Sequence, residues 1–114
     1  MAVKIAEDKL EELRELSDGN DDLVLELLDK FLDSTPKLVQ QARKAIEENN
    51  EQQIDYCVHT MKGSCLSLGL EPMADYLVEL NKKTKQGDLS QISSELDQVE
   101  KYIEEVGEYR KQLG

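Results

Sequence analysis

The sequence predicts an all-α fold: an antiparallel four-helix bundle with an additional short N-terminal helix packed against it. Three observations carry this expectation. Only two prolines occur in 114 residues, so long segments run without an enforced break. Leu, Glu, Lys and Gln are abundant and β-branched runs are few, a composition that favours helix throughout. Apolar residues recur every three or four positions along four long segments joined by short connections, as antiparallel neighbours in a bundle require.

The first helix is expected over about residues 3–16, ending at the stop signal Ser17-Asp18-Gly19. Asn20 is a good N-cap for the second, with Asp21 and Asp22 in its first turn, where negative charge meets the positive end of the helix dipole. The second helix should cover about 21–48, with the stripe Val24, Leu28, Phe31, Thr35, Leu38, Ala42 and Ile46. Leu23, Leu27 and Leu32 lie to its side and would cover the first helix. Pro36 removes one backbone hydrogen bond and should bend this helix without ending it, because the stripe resumes in phase. Asn49-Asn50 closes it.

The third helix, about 52–68, carries Ile54, Val58, Met61, Cys65 and Leu68 at spacings of four, three, four and three, the seam of a bundle helix. Gly69 ends it, and Glu71-Pro72 opens a fourth over about 71–86, with Pro near the first helical position. That helix presents Met73, Tyr76 or Leu77, Leu80 and Thr84, and stops at Gly87. Asp88 or Ser90 would cap a fifth, about 90–112, whose seam is Ile92, Leu96, Val99, Ile103 and Val106. No repeat interrupts the pattern, and residues 1–114 are the length of one domain.

Composition excludes several functions. With 14 Lys and Arg against 25 Asp and Glu, the net charge is −11, and such a chain without a basic stripe would repel nucleic-acid phosphates. No apolar run approaches the roughly 18 residues of a membrane span, and the stretch from Met1 to Glu7 lacks the apolar centre of a signal peptide. Two cysteines are no disulfide framework, which points to a cytoplasmic protein. Cys57 and Cys65 share a helix about 12 Å apart in rise and cannot bridge; Cys65 should be core and Cys57 partly exposed. Tyr56, Tyr76, Tyr102 and Tyr109 read as rim packing. A single histidine removes His-based zinc sites, and the glycines form no phosphate-binding loop. The acidic turn at Asp18–Asp22 fails the calcium-loop template, since Arg14 and Leu16 stand where oxygen ligands belong. No metal site is expected. The absence of a further apolar stripe favours a monomer.

His59 follows the seam residue Val58 by one position, about 100° around the helix, and so should lie on the flank of the bundle. Lys62 and Gly63, three and four residues on, are its surface neighbours. Helical side chains lean toward the N-terminus, so both positions cover the patch where the imidazole lies. A mid-helix Gly costs on the order of 1 kcal/mol relative to Ala. Either a close helix–helix contact demands Gly63, or bulk above His59 has been removed while Lys62 adds positive charge. An open imidazole beside a cation suits phosphoryl transfer, with a ring nitrogen as nucleophile and the ammonium pairing with phosphoryl oxygens. Asp55, four residues before His59, is placed to accept a ring N–H and fix the tautomer.

The stretch His59-Thr60-Met61-Lys62-Gly63-Ser64-Cys65-Leu66-Ser67-Leu68-Gly69-Leu70 resembles the H-x-x-K-G-S-x-x-x-L-G signature of histidine-containing phosphotransfer (HPt) domains of multistep two-component phosphorelays. Phe31, Thr35-Pro36, Leu38, Ala42 and Ile46 also look like that family's preceding helix. The resemblance covers about residues 20–86 and, in architecture only, the rest. It implies that His59 accepts a phosphoryl group from an aspartyl-phosphate receiver domain and passes it reversibly to another. Lys62 would compensate phosphoryl charge, Gly63 would leave room for the receiver, and Ser64 would pack or bond locally. Many members place a Gln 22 residues after the His to hydrogen-bond the imidazole; here that residue is Asn81, one methylene shorter, so the contact is either kept, bridged by water, replaced or lost. No cofactor would be bound by this chain, since the Mg²⁺ belongs to the receiver, and the protein would be a stoichiometric carrier with no ATP-binding machinery.

Asp55, His59, Lys62, Gly63 and Leu66 are expected on one flank, with Ser64 beside them. Leu66 is apolar but off the seam, so it either meets a partner or packs under the first helix. Ile5, Leu10 and Leu13 of the first helix are expected to border the same surface. The implied partners are receiver domains of response regulators or hybrid histidine kinases. Two other readings stay open: an adaptor bundle that binds without chemistry, and the phosphoacceptor domain of a chemotaxis-type kinase. The opening Met1 and the lack of a kinase region favour a free-standing module.

Overall fold

The computed structural model describes residues 2–114, in the order β1 (Lys4–Ile5), α1 (Glu7–Leu16), α2 (Asp22–Glu47), α3 (Glu51–Leu68), β2 (Leu70–Glu71), α4 (Met73–Lys85) and α5 (Ile92–Leu113). The first helix begins later than expected, because residues before Glu7 are extended. Lys4 and Ile5 pair antiparallel with Glu71 and Leu70. Val3 and Ile5 are buried while Lys4 between them is exposed, an alternation that suits a strand and that one helix face could not bury. The Ala6 N–H then donates to the Gly69 carbonyl at 2.8 Å, and the Val3 N–H donates to the Glu105 carboxylate at 3.0 Å. Gly69, at φ +66°, ends α3 in the left-handed conformation. An added Cβ there would stand 3.1 Å from Cβ of Lys9, so this glycine also admits α1.

Between α1 and α2, the Ser17 hydroxyl accepts from the Leu23 N–H at 3.1 Å and Asn20 Oδ1 from the Asp22 N–H at 3.0 Å. These bonds satisfy free donors at the start of α2, although Asp21 occupies the cap position itself. The helix continues through Pro36. Its buried residues are Val24, Leu28, Phe31, Thr35, Val39, Ala42 and Ala45. Val39 and Ala45 thus replace the expected Leu38 and Ile46, which lie half-buried on the flanks. The physical reason is that α2 packs against α1, α3 and α5 together, so the smaller side chains face the helices and the longer ones fill the grooves beside them.

The α3 seam is buried as the spacing indicates, and Cys57 joins it, fully buried and not partly exposed. Its Sγ lies 4.0 Å from Oε1 of Gln41 on α2, which covers it. Asn50 caps α3, its side chain accepting from the Gln53 N–H at 3.1 Å. In α4, Leu77 takes the core position, while Tyr76 sits half-buried with its ring 5.5 Å from that of Tyr102. Neither Asp88 nor Ser90 caps α5: Gln91 holds that position without a side-chain bond, because the Ser90 hydroxyl is turned to Asp88 at 3.1 Å. Ile103 is half-buried beside a seam of Ile92, Leu96, Val99 and Val106.

Helix α2 packs on α3 and α5, α3 on α4, and α4 more lightly on α5. One continuous cluster of buried side chains runs between them. Ion pairs tie the outer seams: Arg43 to Asp97 and Glu100, Arg110 to Asp29, and Lys83 to Glu95. Among the described residues no helix is long and apolar enough to cross a membrane.

Candidate functional site

Helix α3 places the chemistry. Val58 and Met61 point into the core, and His59, between them in sequence, is turned out to solvent. Lys62 lies half-buried one turn further on and enters none of the ion pairs found among the described residues. Gly63 is exposed, and a Cβ built there would meet nothing within 4 Å. A close helix–helix contact therefore does not account for this glycine. It leaves the wall of α3 bare beside the imidazole.

That bare patch continues in two directions. Along α3, Tyr56 and Leu66 are exposed at 57% and 51%. With His59 and Gly63 they form a stripe at spacings of three, four and three, the outward counterpart of the buried seam. Leu66 is thus not packed away under α1. Toward α2, an open groove of about 470 Å³ has Leu27, Phe31 and Leu68 among its lining residues, along with Lys30, Gly63 and Ser64. A large exposed apolar residue on each side of a reactive group, beside a groove, is the character of a protein-docking face.

Of the three N-terminal residues expected to border this face, two are buried. Leu13 is only 7% exposed and belongs to the core. Leu10 packs half-buried against the same core, and Ile5 is sealed within β1. The apolar surface of Leu13 and Ile5 attaches the N-terminal segment to the molecule and is spent inside, while Leu10 keeps part of its side chain open.

At Asn81 the imidazole contact of the longer Gln is lost. The residue is 1% exposed, and its Nδ2 donates to Asp55 Oδ1 at 2.9 Å and to Thr84 Oγ1 at 3.1 Å. The Thr84 hydroxyl lies 2.8 Å from the same Asp55 oxygen. No hydrogen bond joins Asn81 or Asp55 to His59 among the described residues, and Asn81 Oδ1 is buried without a partner. The short amide is engaged by the carboxylate facing it across the α3–α4 seam before it can reach the ring.

Sequence reasoning missed Tyr56, assigned to rim packing, and Thr84, assigned to the apolar seam. The first was detectable from the second three-four-three stripe on α3. The second was detectable as a hydroxyl at a core position, which burial obliges to find a partner. The thiols offer no competing nucleophile: burial pushes Cys65 up to about 12 and raises Cys57. Among the described residues no group of three or more His, Cys, Asp or Glu could hold a metal ion.

Comparison with known proteins agrees with this geometry. The model of the Hpt domain family matches residues 26–109, well over half of the chain and including His59, Lys62 and Gly63. Among solved structures, the fold is similar to that of histidine-containing phosphotransfer protein B (HptB) from Pseudomonas aeruginosa PAO1, with TM-score 0.82, 23% identity, and coverage of 95% of this chain and 91% of that one. No curated protein matches. On the family match, which runs across the exposed histidine and its bare flank, the chain belongs to the Hpt domain family of two-component phosphorelays.

Proposed function

We propose that this protein is a phosphocarrier that accepts a phosphoryl group on His59 from the aspartyl phosphate of one receiver domain and delivers it to another. The observation that carries this reading is the exposed His59 beside a glycine whose Cβ would meet nothing within 4 Å, with Lys62 at the next turn in no ion pair among the described residues. In the forward step an imidazole nitrogen attacks phosphorus, and the bond from phosphorus to the aspartate oxygen breaks. The electron pair leaves on that carboxylate. The transition state is loose and in line, so the protein contributes positioning and charge. Lys62 supplies a mobile positive charge to the phosphoryl oxygens, and Gly63 admits the receiver's active site, which brings its own Mg²⁺.

The receiver docks on Tyr56, Leu66 and the α2–α3 groove, with Ser64 at the groove wall. The unit that docks is one domain, an antiparallel bundle of α2 to α5 with the N-terminal segment laid on it, a reading supported by the single core cluster. It acts as a cytoplasmic monomer and turns over no substrate by itself.

The test is labelling. Incubation with a receiver carrying radioactive aspartyl phosphate is expected to give an acid-labile, base-stable label on this chain, absent from His59→Gln. Label that survives the substitution overturns the assignment. Binding of receivers with no label from any of them, in wild type and variant alike, would leave an adaptor without chemistry. Label that arrives only from a kinase using ATP would make it a kinase's phosphoacceptor domain.

A further inference from the structure

We infer that Asp55 is the positioning residue of the His59 imidazole: Asn81 and Thr84 anchor one of its oxygens, and the other, which the ring does not contact in this structure, is left open to accept the Nδ1–H when the imidazole turns over it. The inference rests on His59 being the phosphoryl acceptor. Asp55 and His59 stand four residues apart on α3 and so share a face one turn apart. Helical side chains favour rotamers that lean toward the N-terminus, which for residue 59 is the turn that carries Asp55.

Asp55 Oδ1 faces two donors from α4, Asn81 Nδ2 at 2.9 Å and Thr84 Oγ1 at 2.8 Å. Its Oδ2 has no partner among the described residues, and neither oxygen enters an ion pair. An ionised carboxylate accepts on both oxygens, so one is fixed and the other remains to be used. The orientation of Asn81 is set by the same contact. Reversing its amide would press Oδ1 against a carboxylate oxygen, so its donor cannot be lent to the ring. Holding two helices together needs no such arrangement, since an apolar pair of the same shape serves about as well as a buried polar one. The carboxylate is therefore held for its free oxygen.

A proton kept on Nδ1 leaves the Nε2 lone pair pointing outward as the nucleophile. When Nε2 bonds to phosphorus and the donor's P–O bond breaks, the ring keeps its Nδ1 proton and becomes cationic. Asp55 then lies beside the new positive charge, and no proton has to move.

The chain has one histidine, so nitrogen NMR of its ring, with the imidazole neutral, reads the tautomer directly. Wild type is expected as the Nδ1–H form. In Asp55→Asn the introduced amide still offers its oxygen to Asn81 and Thr84 but turns an N–H to the ring, so the ratio should invert to Nε2–H. Asn81→Leu, which keeps the packing and removes the anchor, should move the ratio part of the way. Circular dichroism melting checks that each variant folds, and Asn81→Leu serves if Asp55→Asn does not. A wild-type ring already in the Nε2–H form, or a ratio unmoved in the folded variants, overturns the inference while leaving a labelled His59 intact. Failure of wild type to take label removes the carrier reading, whatever the tautomer.

Discussion

A glycine inside a helix sacrifices stability unless something needs its missing side chain. At Gly63 no atom of the molecule does, since a Cβ there would have nothing within 4 Å. The same holds at Gly107 in α5, well away from the histidine in sequence, which supplies a control. Gly63→Ala and Gly107→Ala should each stabilise the fold by about 0.5–1 kcal/mol, read from urea denaturation midpoints. Only Gly63→Ala should slow phosphoryl transfer from a receiver, and a longer side chain at 63 should slow it further. Equal transfer rates in the two alanine variants would mean that the bare wall beside His59 serves nothing. This pair of positions also marks what a sequence can convey. Both glycines interrupt a helix, and it is the His-x-x-Lys preceding one of them, a purely local pattern, that tells them apart.

The elements were legible in proportion to how local their signals are. Helix α3 carries its seam and its stop within one short stretch, Ile54 through Gly69, and both are found where the spacing puts them, while Asn50, read only as the close of α2, proves to cap α3 as well. The N-terminal Val3-Lys4-Ile5 was misread as helix because its strand partner, Leu70–Glu71, lies at the far end of α3 and nothing near Val3 announces it. The caps of α5 were misread for a related reason, two competing polar residues that bond to each other. The ribbon's contribution is measurable. Ile5 is buried within it, so Ile5→Ala should cost about 2–5 kcal/mol and lower the thermal midpoint. Loss of less than about 0.5 kcal/mol, the range of ordinary surface substitutions, would mean that the ribbon is an ornament on the helices. The Asp55, Asn81 and Thr84 contact stayed out of reach of spacing arguments too, because it depends on the register of α4 against α3.

Across the whole molecule, charge works on its outer seams. The Arg110 guanidinium donates to Asp29 at 2.9 Å, linking α5 to α2, and this bond holds the Asp29 carboxyl below its ordinary value of 3.8. The folded chain consequently binds that proton less readily than the unfolded one. The stabilisation is complete above about pH 3.8 and is lost as pH falls through the depressed folded value. Asp29→Asn should therefore make stability fall less steeply as acid takes the pH below the ordinary value of 3.8, read as urea midpoints; parallel curves for wild type and variant would exclude the effect. The pair is solvent-exposed, and salt should weaken it. At this scale one further property follows from the solitary imidazole on the open side of α3. On the proposed carrier reading, a molecule with one berth cannot be loaded and unloaded at the same moment, so donor and recipient would have to queue for it, and an excess of spent donor would hold up delivery simply by standing in the doorway.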